Sequence, residues 1–174
     1  MVTVVVLGAV VLLLVVYAFW AASRLDRLHA RVDAAAAALD AQLRARADAA
    51  ARCGTECQLP RHVAADLENA AAATVGVSGL GHDREEVENA LSRALTDIDH
   101  AVAGSPAGFT LADAATRASF SRRFHNDAVR DVLVVRRRRV VRYLRLAGRA
   151  PLPSYFEMVE PAMSGTPAGV STPD

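Results

Sequence analysis

The chain opens with an uninterrupted apolar stretch. The first 22 residues contain no charged side chain, and Val2 to Trp20 is almost wholly Val, Leu, Ala and aromatic residues. At about 1.5 Å of rise per residue, a helix from Val2 to Ala22 is roughly 30 Å long, which matches the hydrocarbon thickness of a bilayer. Aromatic side chains, which favour the headgroup level, cluster at its downstream end at Tyr17, Phe19 and Trp20. The pattern predicts a transmembrane anchor over residues 1–22.

A cleaved signal peptide is the alternative for an apolar N-terminus. Such a peptide has a basic first region and an apolar core of about 7–15 residues. Here no Lys or Arg precedes the apolar run, the run is longer, and the helical pattern continues past Ala22 without a turn-forming break. We therefore expect the segment to be retained as an anchor.

Apolar residues after the anchor recur at spacings of three and four, which predicts an amphipathic helix continuous with the anchor and running to about Arg52. The positions are Leu25, Leu28, Val32, Ala35, Leu39, Leu43, Ala47 and Ala50. Gly54 ends this pattern, and Pro60 is typical of the first turn of a second helix reaching about Ala73.

A third helix is predicted to start at His82 and Asp83, with Asp83 and Glu86 as a capping pair, and to end before Gly104. We expect its buried face to hold Val87, Leu91, Leu95 and Ile98. A fourth, long helix is predicted from Thr110 or Leu111 to about Ala147, where Gly148 supplies the stop. Its expected buried stripe is Leu111, Ala114 or Ala115, Ala118, Phe124, Ala128, Val132, Val135, Val140, and Tyr143 or Leu144.

The predicted fold class is all-α: a transmembrane helix followed by an antiparallel up-and-down four-helix bundle with two long helices, because short connections make neighbours antiparallel. The expected division is an anchor (1–22), a helical bundle (23–153) and a Pro- and Gly-rich tail (154–174), mostly disordered. Within that tail the apolar residues Tyr155, Phe156 and Met158 are candidates for docking on the bundle.

Charge is distributed unevenly, although the net charge is only +1. All 20 basic residues are Arg, and eight of them lie between Arg130 and Arg149. An antiparallel last helix would return these arginines to the membrane, near those that follow the anchor, and form a basic collar on anionic lipid. The candidate membrane-surface residues are Arg24, Arg27, Arg31, Arg136, Arg137, Arg138, Arg139, Arg142 and Arg145. The arginines after the anchor also predict a cytoplasmic location for the rest of the chain.

The segment Phe120 to Asp131, FSRRFHNDAVRD, resembles the last helix of the LemA family. The matching positions are Phe124, His125, Asn126, Asp127, Ala128, Val129, Arg130 and Asp131. Arg24 to Asp48 is similar to that family's first helix, and Glu88 to Leu95 to its third. The resemblance implies a single-pass membrane protein with an antiparallel helical bundle and no established enzymatic activity. The chain departs from the family at Ala36 or Ala37, where members carry a bulky aromatic residue, and in the stretch CGTECQLPRH.

Two side-chain groups are candidates for chemistry. Asn126, Asp127, Arg130 and Asp131 lie at helical spacings. They are interpreted either as a partner-recognition cluster or, as we favour, as residues that pair within the helix or tie it to the first helix. Cys53, Cys57 and His62 carry metal-ligating groups, but no second cluster completes a set of four ligands. We therefore interpret the two cysteines as reduced thiols, and we expect no metal or other cofactor.

No catalytic triad, phosphate loop or dinucleotide motif is present in the sequence, so we expect no enzyme. The favoured function is a membrane-anchored scaffold or regulatory module that binds an unknown protein partner, through the loops Cys53 to Pro60 and Gly104 to Thr110, with homo-oligomers through Ala-rich faces left open. One alternative is a regulator that binds nucleic acid through Arg136 to Arg149, which we consider the weaker hypothesis. The other is an extracytoplasmic envelope protein, if the topology is reversed.

Overall fold

The computed structural model describes residues 1–137 and 151–161. Its helices are α1 (Val2–Glu56), α2 (Arg61–Val75), α3 (His82–Val102) and α4 (Pro106–Arg136), and the described residues contain no strand. The predicted all-helical class is confirmed, and the apolar stretch and the first amphipathic helix form one continuous helix, as expected. Residues 138–150 and 162–174 lie outside the described residues, and with them the predicted continuation of α4 to Ala147, its stop at Gly148 and most of the tail.

The start of α3 differs from the prediction. Its N-cap residue is Gly81, and no side chain caps the helix with a hydrogen bond. The predicted capping pair of Asp83 and Glu86 is therefore wrong, because the helix already begins at His82 and Asp83 lies inside its first turn. There the Asp83 carboxylate still meets the positive end of the helix dipole.

The start of α4 also differs, since the helix begins at Pro106 rather than near Thr110. The Ser105 hydroxyl accepts a hydrogen bond from the N–H of Gly108 at 3.0 Å, and Pro106 occupies the first helical position, where its missing N–H has no cost. A Cβ on Gly108 would lie 2.2 Å from the carbonyl oxygen of Val102. Glycine at this position therefore lets the first turn of α4 approach the end of α3.

The chain divides into two compact units. Unit 1 comprises Met1–Ala35 and His125–Tyr155, and unit 2 comprises Ala36–Phe124 and Phe156–Asp174, each as far as it is described. The core of unit 1 packs α1 against α4 through Leu25, Val32, Ala128, Val129, Val132 and Val135. The main core of unit 2 draws on all four helices through Ala47, Ala50, Cys53, Leu67, Ala71, Leu91, Leu95, Ile98, Leu111 and Ala114.

The predicted stripe of α1 is confirmed, with Leu28 and Ala35 half-buried and its other members buried. In α4 the expected burial of Phe124 is wrong, since that side chain is 67% exposed and the neighbouring His125 is buried instead. In α3 the expected Val87 is only half-buried, and the charged residues Arg84 and Glu88 are buried. In both helices a polar side chain is buried close to an apolar side chain that was predicted to be buried.

Residues 151–161 form neither helix nor strand. We call residues 156–161 the tail segment. Its Phe156 and Met158 side chains are buried in a cluster with Leu39 and Leu43 of α1, so their expected docking is confirmed, whereas Tyr155 is exposed.

Candidate functional site

The apolar part of α1 is uncovered. Residues 1–17 are all exposed, and the most apolar 18-residue window of the helix has no buried residue. In the described part of the chain, α1 alone is long and apolar enough to cross a membrane. The core helix of a soluble protein is mostly buried by its neighbours, whereas this part of α1 is not buried.

Arginines follow this apolar part at once, and three of them belong to unit 1. The Arg24 guanidinium lies 5.5 Å from the ring centroid of Trp20, in a cation–π contact. Arg27 is exposed. Arg31 pairs with Asp131 of α4 at 3.2 Å, but both side chains are about half exposed, so the pair contributes at most about 1 kcal/mol.

The described end of α4 carries two more of the predicted membrane-surface arginines. Arg136 donates a hydrogen bond to the carbonyl oxygen of Pro151 at 2.9 Å, and Arg137 is exposed. The apolar cluster of unit 1 contains both Leu25, adjacent to Arg24, and Val135, adjacent to Arg136. The same cluster thus carries basic residues from α1 and α4. Arg138, Arg139, Arg142 and Arg145, and most of the stretch invoked for nucleic-acid binding, lie outside the described residues.

The residues that resemble the LemA motif have mainly structural contacts. Asp127 pairs with Arg130 at 2.9 Å, one turn along the exposed side of α4, and Asp131 pairs with Arg31. The predicted pairing within the helix and to the first helix is confirmed. The remaining motif positions divide into an exposed Phe124, a half-buried Asn126, and the buried core residues Ala128 and Val129.

His125 is buried in unit 1, and its side chain contacts the backbone of Ser154. Burial lowers the pKa of His125, and the hydrogen bond to Ser154 opposes this shift only in part. Burial therefore favours the neutral imidazole.

A buried network of charged side chains lies in unit 2. Glu88 of α3 accepts hydrogen bonds from Arg46 of α1 at 2.5 Å and from Arg84 at 2.8 Å, and all three side chains are at most 1% exposed. Arg84 also pairs with Asp40 at 3.1 Å and donates to the carbonyl oxygen of Val77 at 2.9 Å. One carboxylate therefore holds two guanidinium groups inside the protein.

The surroundings of Arg46 show how this charge is tolerated. Its guanidinium also donates to the Ser92 hydroxyl and to the backbone carbonyl of Glu88, both at 3.1 Å. Burial lowers the pKa of Arg46, while the charge and hydrogen bond of Glu88 raise it. Because an unpaired buried charge costs several kcal/mol, the network fixes which faces of α1 and α3 meet.

The two loops predicted to bind partners come together in unit 2. The thiol of Cys57 lies 3.5 Å from the Ser105 hydroxyl. A cavity of about 130 Å³ beside them is lined by Ala49, Arg52, Glu56, Pro106, Ala107 and Thr110. It is small and open, and no buried charge points to a ligand class for it.

The candidate metal-ligating residues serve different local roles. Cys53 is fully buried in the main core, and burial raises the pKa of its thiol to about 12. Cys57 is half-buried, and His62 is exposed on α2. Within residues 1–137 and 151–161 no group of three or more His, Cys, Asp or Glu side chains could hold a metal ion.

Comparison with protein-family models, with curated proteins and with solved structures finds no match to this chain. Its function must therefore be argued from its own residues. Sequence reasoning missed the network around Glu88 and the hydrogen bonds of the tail segment. The available signal for the network was the position of Arg46, which lies three residues from both Leu43 and Ala49, inside the apolar side of α1.

Proposed function

We propose that this chain is a LemA-like protein with one membrane span and no catalytic activity, which acts as a scaffold or regulatory interaction module at the inner face of the membrane. The observation that carries the proposal is the uncovered apolar part of α1, continuous with a helix that is packed into both units. A partner that binds the packed part of the chain would thereby be held at the membrane.

An antiparallel bundle is the architecture that fits this proposal. Within unit 2, Leu39 and Leu43 of α1 cluster with Ala118, whereas residues further along α1 cluster with Leu111 and Ala114. Later residues of α1 thus contact earlier residues of α4, which supports an antiparallel pair of helices. A last helix running back along the first would carry its arginines towards the headgroups.

The proposed lipid contact can be tested with Trp20, the single tryptophan of the chain. In vesicles that contain trace spin-labelled lipids, we expect spin-labelled anionic lipid to quench Trp20 fluorescence more strongly than spin-labelled zwitterionic lipid. Changing the exposed Arg27 and Arg137 to Gln should reduce that preference by roughly fivefold per arginine, since each is expected to contribute about 1 kcal/mol at an anionic surface.

The matched control is Arg52→Gln with Arg93→Gln, which removes two exposed arginines of unit 2 and leaves the Arg24–Trp20 contact intact. It should leave the quenching preference unchanged. Equal quenching by both lipids in the unaltered protein, or an equal loss in the control, would contradict a basic lipid-binding surface beside the span.

Orientation requires a thiol probe, and neither native cysteine suits it. Cys53 is buried with a pKa of about 12, and maleimides react with thiolates. We therefore place a cysteine at the exposed Ala41 in a Cys53→Ala, Cys57→Ser background. A cytoplasmic location predicts that a membrane-impermeant maleimide labels Ala41→Cys only after cell lysis, and the cysteine-free parent gives the background. Labelling of intact cells would place the packed units outside the cytoplasm.

A further inference from the structure

The tail segment lies in unit 2 in the manner of a bound peptide. Its buried side chains alternate with exposed residues: Phe156 is 0% and Met158 is 7% exposed, whereas Val159 is 59% exposed. This period of two is that of an extended chain with one side facing a surface. The surface is formed by Leu39 and Leu43 of α1 together with Ala118 of α4 and Leu80.

Backbone hydrogen bonds hold the segment in register on α3. The N–H of Glu157 donates to the carboxylate of Glu85 at 2.7 Å, and the N–H of Val159 donates to the side-chain oxygen of Asn89 at 2.7 Å. Glu85 and Asn89 are one helical turn apart. Side chains that accept from every second N–H of an extended chain recognise its backbone and therefore do not depend on its sequence.

A charged clamp closes the site at one end. The Glu160 carboxylate accepts hydrogen bonds from Arg122 at 2.6 Å and from Arg123 at 3.1 Å. The Arg122 hydrogen bond lowers the pKa of Glu160, which keeps the carboxylate ionised. The two arginines therefore select an acidic residue at the position two residues after Met158.

A cavity lies beside the acidic position of the tail segment. A cavity of about 270 Å³ adjoins Glu160 and Pro161 and is otherwise lined by residues of α4, namely Ala115, Thr116, Ser119, Phe120 and Arg123. Among the described residues, the contacts of the tail segment include two buried apolar side chains, two backbone hydrogen bonds and one paired carboxylate. Because the apolar and backbone contacts follow the pattern of an extended chain, another segment with the same pattern can make the same contacts.

We propose that this groove, formed by α1, α3 and α4 of unit 2, binds extended peptides of the pattern apolar, any, apolar, any, acidic, and that residues Phe156–Glu160 are its resident and displaceable ligand. The occupant that displaces them is a partner protein with an exposed segment of this pattern. This inference rests on the proposed interaction function, because it names the class of partner that the protein would bind. Peptide binding itself requires no lipid and can therefore be tested apart from the membrane.

The test uses the full-length chain in detergent micelles and a fluorescein-labelled peptide of residues 153–161, followed by fluorescence anisotropy. In the unaltered protein the tethered segment competes with the peptide at a high local concentration. Phe156→Ala with Met158→Ala empties the groove, so we expect this variant to bind the peptide at least about tenfold more tightly. A peptide with alanine at the same two positions should not bind, and titration of the original peptide into protein-free micelles measures its partition into detergent.

A second variant keeps the proposal testable if Phe156→Ala with Met158→Ala misfolds. Glu160→Lys opposes Arg122 and Arg123 with a like charge and should also release the segment, while both buried apolar side chains are kept. Adding Arg122→Gln and Arg123→Gln to the emptied groove should weaken peptide binding about tenfold, whereas adding Arg52→Gln and Arg93→Gln should not. Circular dichroism verifies that each variant is folded.

The proposal is overturned if neither the emptied nor the Glu160→Lys variant binds the peptide more tightly than the unaltered protein, or if the alanine peptide binds equally well. These outcomes differ from failure of the proposed membrane function, which would appear as a loss of lipid selectivity at Trp20 with peptide binding intact.

Discussion

Replacing Glu88 by leucine is expected to lower the free energy of unfolding by about 3–5 kcal/mol, the range for removing one partner of a buried ion pair. Glu88 is the shared acceptor of Arg46 and Arg84, whose side chains are 0% and 1% exposed. Without it, Arg84 retains Asp40, but Arg46 retains only the Ser92 hydroxyl and one backbone carbonyl. The measurement is denaturant unfolding of the full chain in micelles, followed by circular dichroism.

The matched control for this prediction is Glu86→Leu, the same change at an exposed position two residues away on α3. It should shift stability by no more than about 0.5 kcal/mol. Adding Arg46→Met to Glu88→Leu removes the unpaired charge, so the double variant should recover at least about 1 kcal/mol relative to Glu88→Leu. If instead the double variant loses as much stability as Glu88→Leu and Arg46→Met lose separately in sum, the cost comes from lost packing volume and not from an uncompensated charge.

Introducing Asp at Val10 and Leu13 together is expected to release the protein from the membrane. Both residues lie near the middle of the apolar part of α1 and are exposed. An Asp at the centre of a bilayer costs about 2.5–3.5 kcal/mol, so the pair costs about 5–7 kcal/mol. After alkaline carbonate extraction, the unaltered chain should remain in the membrane pellet and the double variant should move to the supernatant.

The control places the same two charges outside the apolar part, as Ala37→Asp with Ala41→Asp, at exposed positions of α1. This variant should remain in the pellet. Intact mass spectrometry of the extracted protein provides the second readout, because retention of Val2 to Ala22 distinguishes an anchor from a cleaved signal peptide. A mature chain that begins after Ala22, or a double variant that stays in the pellet, would contradict the anchor.

The two cores differ in how directly the sequence specifies them. In the described part of unit 1, the apolar cluster between α1 and α4 consists of residues at helical spacing, and Arg31 and Asp131 form an exposed ion pair between the same helices. Unit 2 has apolar clusters and also the buried charged network of Glu88. Substitutions among apolar residues of similar volume should therefore be tolerated better than any single change within the network.

The sequence by itself determined the helices and the uncovered apolar part of α1, because both follow from local periodicity. The positions Leu25 to Ala50 recur every three or four residues and can form one face only in a helix, and 22 residues without a charge need no tertiary context to be recognised as a candidate span. The docking of Phe156 and Met158 was also foreseeable, since apolar residues in a polar tail gain most from burial.

Only the tertiary structure decided which charged residues are buried and how the tail segment is held. Arg46, Arg84 and Glu88 carry charges whose burial one at a time is costly, and only their meeting across α1 and α3 provides the partners that offset this cost. The burial of His125 instead of Phe124 is likewise seen only in the structure, where the backbone of Ser154 hydrogen-bonds the imidazole. Helical periodicity is a property of neighbouring residues, whereas the pairing of charges 42 residues apart, as in Arg46 and Glu88, is a property of the folded chain.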